Sequence, residues 1–220
     1  MLELRSWSTL ESHPFIRRWL DGELTADELQ AFAAEHYHAV LALEQAARRA
    51  ARLSDGLLAD ELRRYADEQA EALGLLCRFA TATGWGQAWY FAEDPLPETV
   101  ACARALSGEG EERELALHLV TIHTVESALA ELAPLQLATL IAGYGFDDAA
   151  IAYFESRALR SADDASTAEA GLTSLLPVSE SAALRDHAEA TYASYVGLLD
   201  GVNRMWSPTG PSSSTLRSRR

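Results

Sequence analysis

Apolar and polar positions along this chain repeat with the period of a helix, not of a strand. Leu29, Ala33, His36, Val40, Leu43 and Ala47 recur at three- and four-residue steps, which puts them on one face of a helix running from Thr25 to about Leu53. Thr25-Ala-Asp-Glu28 opens it as a capping box, with threonine oxygen and glutamate carboxylate satisfying N–H groups of the first turn reciprocally. Ahead of it, Ser12-His13-Pro14 predicts a short helix with proline in its first turn. Phe15, Ile16, Trp19 and Leu20 form its apolar side and Asp21-Gly22 stops it. A third helix is predicted from Leu57 to Thr83, with Leu58, Leu62, Tyr65, Leu73 and Leu76 on its core line. A parallel line of Tyr65, Glu68, Ala72, Leu75 and Phe79 sets Glu68 among apolar neighbours.

Trp85, Trp89, Tyr90 and Phe91 mark an aromatic loop from Gly84 to Pro97, a cap on the bundle or the rim of a pocket. Glu98 to Leu106 predicts a short helix, and residues 108–112 a polar turn. In a fifth helix, from about Glu112 to Leu132, Leu115, Leu119, Ile122, Glu126, Leu129 and Ala133 share a line, so Glu126 sits mid-stripe. Pro134 predicts a kink or break, and residues 135–143 resume an apolar helical pattern. From Phe146 to Leu172, Ile151, Phe154, Ala158, Ser161 and Ala165 form an apolar or small-residue face, with Arg157, Arg160, Asp163 and Asp164 beside it. Pro177 and Ser179 begin a last helix that buries Leu184, Ala188, Thr191, Tyr195, Leu198 and Val202. No repeat and no strong strand signal interrupts this series. The expected architecture is a single-domain all-α bundle of about seven helices over residues 1–206, with a central cavity between the second, third, fifth and sixth helices. Residues 207–220, rich in Ser, Pro, Gly and Arg, read as a disordered basic tail.

Composition narrows the function. A formal charge of −15 argues against a general nucleic-acid binder. The chain has no lysine, which removes Schiff-base chemistry and a pyridoxal phosphate anchored to this protein. Cys77 and Cys102 make no CxxC or zinc-like spacing and read as buried, reduced thiols. No apolar run approaches about 20 residues, and Met1 to Leu20 lacks a signal-peptide profile. The expectation is a soluble cytoplasmic protein without a membrane partner.

Several residues are candidates for chemistry. His123 and Glu126, at i and i+3, share a face and suit a base–carboxylate pair or two ligands; a buried hydrogen bond explains the same spacing. His36 lies on an apolar stripe, as either a core histidine or a catalytic one. Glu35 and His38 form a single ExxH on the solvated edge, where ferritin-like di-iron bundles need two. His118 falls on a helix flank. Arg160 and Asp164, at i and i+4, suit an ordinary surface pair.

HPFIRRWLDGELTADELQAFAAEHYHAV at 13–40, YADEQAEALGLLCRFATATG at 65–84, and LLDGVNRMW at 198–206 together resemble the haem-oxygenase-like superfamily. That group includes thiaminase II, pyrroloquinoline-quinone synthase C and the haem-oxygenase-like di-iron oxidases. In the di-iron members an aromatic pair, here Tyr153-Phe154, precedes a His-x-x-x-Asp-x-x-His run that binds iron. One register places Arg157, Ser161 and Asp164 at those positions; another places Arg160, Asp164 and Thr167. Both keep an aspartate and lose both histidines. The resemblance implies Glu68, Glu126 and Asp164 as the metal carboxylates, and His36, His123 and Arg157 as the catalytic set. With imidazoles missing, it implies iron held weakly or not at all. The function implied is O2-dependent oxidation of a small metabolite in a cavity of the bundle, by a biosynthetic enzyme that forms a homodimer. Two other readings stay open: a non-catalytic, metal-free homologue that binds a small molecule or partner protein, and a thiaminase-like enzyme, which would need an activated cysteine.

Overall fold

The computed structural model describes residues 10–84, 95–108, 114–175 and 181–206. Seven α-helices follow in order: α1 (Pro14–Leu20), α2 (Ala26–Arg52), α3 (Gly56–Ala82), α4 (Pro97–Ser107), α5 (Leu115–Thr139), α6 (Asp148–Leu175) and α7 (Ser181–Met205). Among the described residues there is no strand, so the all-α bundle expected from the periodicity is what forms. The aromatic loop residues Trp85, Trp89, Tyr90 and Phe91, and the tail at 207–220, lie outside the described residues.

Local signals set the helix starts. His13 caps α1: the Phe15 N–H donates to His13 Nδ1 at 3.2 Å, while Nε2 lies 3.1 Å from Asp200 Oδ1 on α7. Nδ1 is therefore the acceptor and Nε2–H the donor, so one ring closes a helix end and ties the first helix to the last. The predicted capping box is present at α2, with Glu28 N–H on Thr25 Oγ1 at 3.3 Å and Thr25 N–H on Glu28 Oε2 at 2.9 Å. Arg18 Nη2 reaches Glu28 Oε1 at 2.6 Å and couples α1 to α2. Gly108, at φ 66°, ends α4 in the left-handed conformation that glycine adopts without steric cost.

Pro134 neither breaks nor ends α5. The helix runs through it, and leaves α geometry at the π-helical turn Leu140–Tyr144. Proline removes one backbone hydrogen bond, but Leu132, Ala133 and Gln136 around it are buried, and that packing holds the helix on course. Leu115–Tyr144 is also long and apolar enough to cross a membrane by composition, contrary to the expectation that no such run exists. Here it serves as the central helix of the bundle, with Leu119, Ile122, Val125 and Leu129 in the core. His118, expected on a flank, is buried for the same reason.

The core is divided. One apolar cluster includes Phe15, Trp19, Phe32, Leu76, Phe79, Leu129 and Phe154, with Trp19–Phe32 and Phe79–Phe154 ring centroids 4.9 and 5.0 Å apart. The other gathers Ala47, Leu62, Tyr65, Ala66, Leu119, Ile122, Leu172 and Ala188. On α3 the boundary between them falls at Gln69, on α5 at Glu126, and on α6 across Arg157, Ser161 and Asp164. All five are buried. A polar layer thus lies between two apolar ones.

Candidate functional site

The polar layer is built around Glu126. Its Oε1 accepts from Tyr65 Oη at 2.5 Å, Arg157 Nη1 at 3.0 Å and Gln69 Nε2 at 3.2 Å. Tyr65 and Gln69 stand one turn apart on α3, so both reach the same carboxylate; Arg157 comes from α6. Burial, reinforced by Glu126, pushes the Tyr65 phenol well above its usual range, so it stays a donor. Burial opposes the Arg157 charge, but Glu126, Tyr153, Tyr65 and Asp164 outweigh it and raise its pKa. Ion pairs this deep are stable only when their other hydrogen-bonding groups are matched. Here they are not: Glu126 Oε2, Gln69 Oε1, Asp164 Oδ2, Ser161 Oγ, and Nε and Nη2 of Arg157 are buried with no partner. Such orphaned groups cost free energy unless something serves them.

Asp164 is the carboxyl of the layer whose protonation is most altered by its surroundings. Burial first, then the nearby Glu126, raises its pKa from 3.8 to about 7, while Arg157 and Arg64 pull the other way. Its Oδ1 lies 3.6 Å from Arg64 Nη2. Arg64 and Arg160 sit at the edge of the bundle, nearly half exposed, and share Glu68: Nη1 of Arg64 is 2.6 Å and Nη1 of Arg160 is 3.5 Å from Glu68 Oε1. The layer therefore runs from a rim of half-exposed Arg64 and Arg160, through the mostly buried Glu68 between them and Asp164, to the buried Glu126–Arg157 pair.

This arrangement corrects several expectations. Arg157, Ser161 and Asp164, the residues of the first of the two registers, are buried together, whereas Arg160 of the second is exposed. The anticipated Arg160–Asp164 surface pair does not form; Arg160 turns to Glu68 and Asp164 turns inward. Glu68 does not bond to Glu126, which Tyr65 and Gln69 of α3 reach instead; it lies further out, its side chain 17% exposed, with Oε2 buried and unpartnered. His123 is a strut: its Nδ1 lies 3.0 Å from the Ala165 carbonyl, joining α5 to α6. His36 is a core histidine, its Nε2 2.6 Å from Tyr153 Oη and its Nδ1 3.3 Å from Tyr195 Oη. Burial, then Arg157, lowers its pKa to about 3, so the ring is neutral.

Glu35, expected on the solvated edge, instead accepts the Leu96 N–H at 3.1 Å. Cys102 is buried, which pushes its thiol up to about 12, and burial also raises half-buried Cys77; neither supplies the activated thiolate of a thiaminase-like mechanism. Where a central cavity was expected between α2, α3, α5 and α6, the structure has the polar layer with its unpartnered atoms. Two hollows lie elsewhere, one of about 280 Å³ along α2 and α4 beside His38, Thr99 and Arg104, the other at Arg48, Arg52 and Arg63.

Iron does not fit the donors as placed. Among the described residues no group of three or more His, Cys, Asp and Glu side chains could hold a metal ion. Glu68, Glu126 and Asp164 are faced by guanidinium groups instead, and no imidazole joins them. Sequence reasoning missed Gln69 and the Tyr153–His36–Tyr195 network. The available signal was a polar side chain one turn beyond Tyr65 on a core line.

A family model described as TENA/THI-4/PQQC matches residues 3–177. The chain belongs to this family. Membership agrees with the haem-oxygenase-like fold and places the protein in small-molecule metabolism. No curated protein matches the chain. Among solved structures, a Shewanella denitrificans domain of unknown function with a heme oxygenase-like fold is 18% identical, with a TM-score of 0.77 over 94% of this chain and 91% of that one. A TenA homolog from Pseudomonas syringae pv. tomato is 13% identical, with a TM-score of 0.77 over 90% of this chain and 88% of the other. A TenA family transcription regulator from Silicibacter sp. is 15% identical, with a TM-score of 0.72 over 91% and 93%. At these identities the likeness concerns the fold of this TENA/THI-4/PQQC member, and the chemistry rests on its own residues.

Proposed function

We propose that this protein is a small-molecule enzyme whose chemistry is proton transfer in the polar layer, with Asp164 as general acid and base and no metal. The observation that carries this reading is the coincidence of a carboxyl titrating near neutrality with a buried ion pair whose remaining polar atoms are unpartnered. A ligand entering the layer meets acceptors at Glu126 Oε2, Asp164 Oδ2 and Gln69 Oε1. Nε and Nη2 of Arg157 are unpartnered donors in the same layer, so the layer suits a molecule that presents both N–H or O–H donors and an acceptor oxygen. Arg64 and Arg160, nearly half exposed at the rim, are the groups such a molecule would pass on its way in.

Oxidation by O2 belongs here in metal-free form. Ionised Asp164 removes a proton from the bound substrate, and the resulting anion passes two electrons to O2. With the loss of a second proton the substrate leaves oxidised, and O2 leaves as H2O2. The test is to incubate a small-molecule extract with wild type or Asp164→Asn in D2O, with and without O2, and follow deuterium uptake and mass change by mass spectrometry. Wild type should alter at least one species that Asp164→Asn leaves unchanged, and the oxidative form further requires O2 consumption. Equal turnover by both proteins would overturn the role of Asp164.

A second reading, a non-catalytic binder, is favoured by the guanidinium groups that stand against Glu68, Asp164 and Glu126. It is selected if a small molecule is retained unaltered by both proteins.

A further inference from the structure

The carboxylates of the polar layer are arranged as if around a cation, and the cation they surround is an arginine. Glu126 is fully buried and has one oxygen, Oε1, on Arg157 Nη1 and the other, Oε2, without a partner. Ser161 and Asp164 lie one and two turns beyond Arg157 along the same face of α6, also buried, each with an unpartnered oxygen. Gln69 Oε1 adds another unpartnered acceptor from α3. Oxygen donors on three helices thus border one interior region. A buried carboxylate needs a proton or a positive charge beside it, and for Glu126 the guanidinium of Arg157 supplies the charge.

We infer that Arg157 is a built-in replacement for a divalent metal: it excludes such an ion from the α3–α5–α6 layer, and removing its guanidinium turns the layer into a divalent-cation site. Three features of the side chain support this. Its charge cannot be lost by deprotonation at any ordinary pH. Its length lets α6 deliver the charge to α5 without a separate ligand. Its Nη1 stands 3.0 Å from Glu126 Oε1, on the carboxylate that an ion would have to share. Arg64 cannot take over, because it is nearly half exposed and already bonded to Glu61 and Glu68 at the rim. The inference does not depend on the protein being an enzyme.

Wild type, Arg157→Lys, Arg157→His and the double variant Arg157→His/Glu126→Gln are each freed of metal and titrated with Co(II) under argon. Bound metal is measured by equilibrium dialysis, and coordination by the visible absorption of Co(II). Circular dichroism checks the fold of each protein. The expected result is no uptake at the layer by wild type or Arg157→Lys. Arg157→His, which exchanges the charge for one nitrogen donor, should take up one Co(II) per chain at least about 100-fold more tightly than wild type, because uncompensated carboxylates gain a counter-charge. The double variant should lose that gain. Stoichiometric uptake by wild type that Glu126→Gln abolishes would overturn the inference, and so would a folded Arg157→His that takes up no more than wild type. Should Arg157→His fail to fold without metal, refolding it with Co(II) replaces the titration, and failure there counts against the inference too.

Discussion

Arg157 Nη1 and Glu126 Oε1 are 3.0 Å apart, and the two side chains are 1% and 0% exposed. Breaking such a pair from one side strands a charge in the interior. Glu126→Ala should therefore lose about 3–5 kcal/mol of stability, read from urea unfolding. Replacing both partners by apolar residues of similar size, Glu126→Leu with Arg157→Met, should recover most of that loss. Arg160→Ala, which removes an exposed pair with Glu68, should change stability by less than about 1 kcal/mol.

Asp164 and His36 should give the stability–pH curve two opposed slopes. The folded pKa of Asp164 is raised to about 7 from 3.8, so the native state holds a proton that the unfolded chain has released. Its contribution is complete below about pH 4 and is lost as pH rises toward 7. The folded pKa of His36 is lowered to about 3 from 6.5. Its contribution is present above pH 6.5 and is lost as pH falls toward 3. Asp164→Asn should flatten the first slope and raise stability at pH 8 relative to pH 5. His36→Gln should flatten the second. Denaturation midpoints measured from pH 4 to 8 separate the two.

Arg64 is the rim guanidinium facing Asp164, at 3.6 Å, and it pulls the aspartate pKa down. Arg64→Ala should therefore move the Asp164 titration to still higher pH. Following the Asp164 carboxyl by carbon NMR checks this directly, with Arg63→Ala, whose partner is Asp60, as the control.

His13 joins α1 to α7 through one ring. His13→Ala should cost about 1 kcal/mol, the usual worth of a helix N-cap. Asp200→Asn, which keeps an acceptor for Nε2–H, should cost less. Thermal unfolding of the two variants ranks them.

Local chemistry made much of this protein readable in advance. Thr25 and Glu28 form their capping box from residues three apart, His13-Pro14 opens α1, and the periodic stripes of Leu29 to Ala47 and Leu115 to Ala133 define helices, because such signals depend on neighbours within one or two turns. The burial of Glu126 was legible for the same reason, from its place mid-stripe between Ile122 and Leu129.

What surrounds Glu126 was decided by tertiary structure. Tyr65, Gln69 and Arg157 come from helices separated by tens of residues, and their meeting depends on how α3 and α6 rotate against α5. A rotation of a fraction of a turn separates Gln69, which faces Glu126, from Glu68, which faces Arg64 at the rim. The same small angle chooses Arg157 over Arg160 for the interior. Sequence periodicity specifies which residues share a face, but two adjacent candidates on its border differ by about 100°, and only packing against the other helices selects between them. The chemistry of the layer follows from that selection, since it sets an arginine, rather than a second imidazole or a metal, against the buried carboxylate.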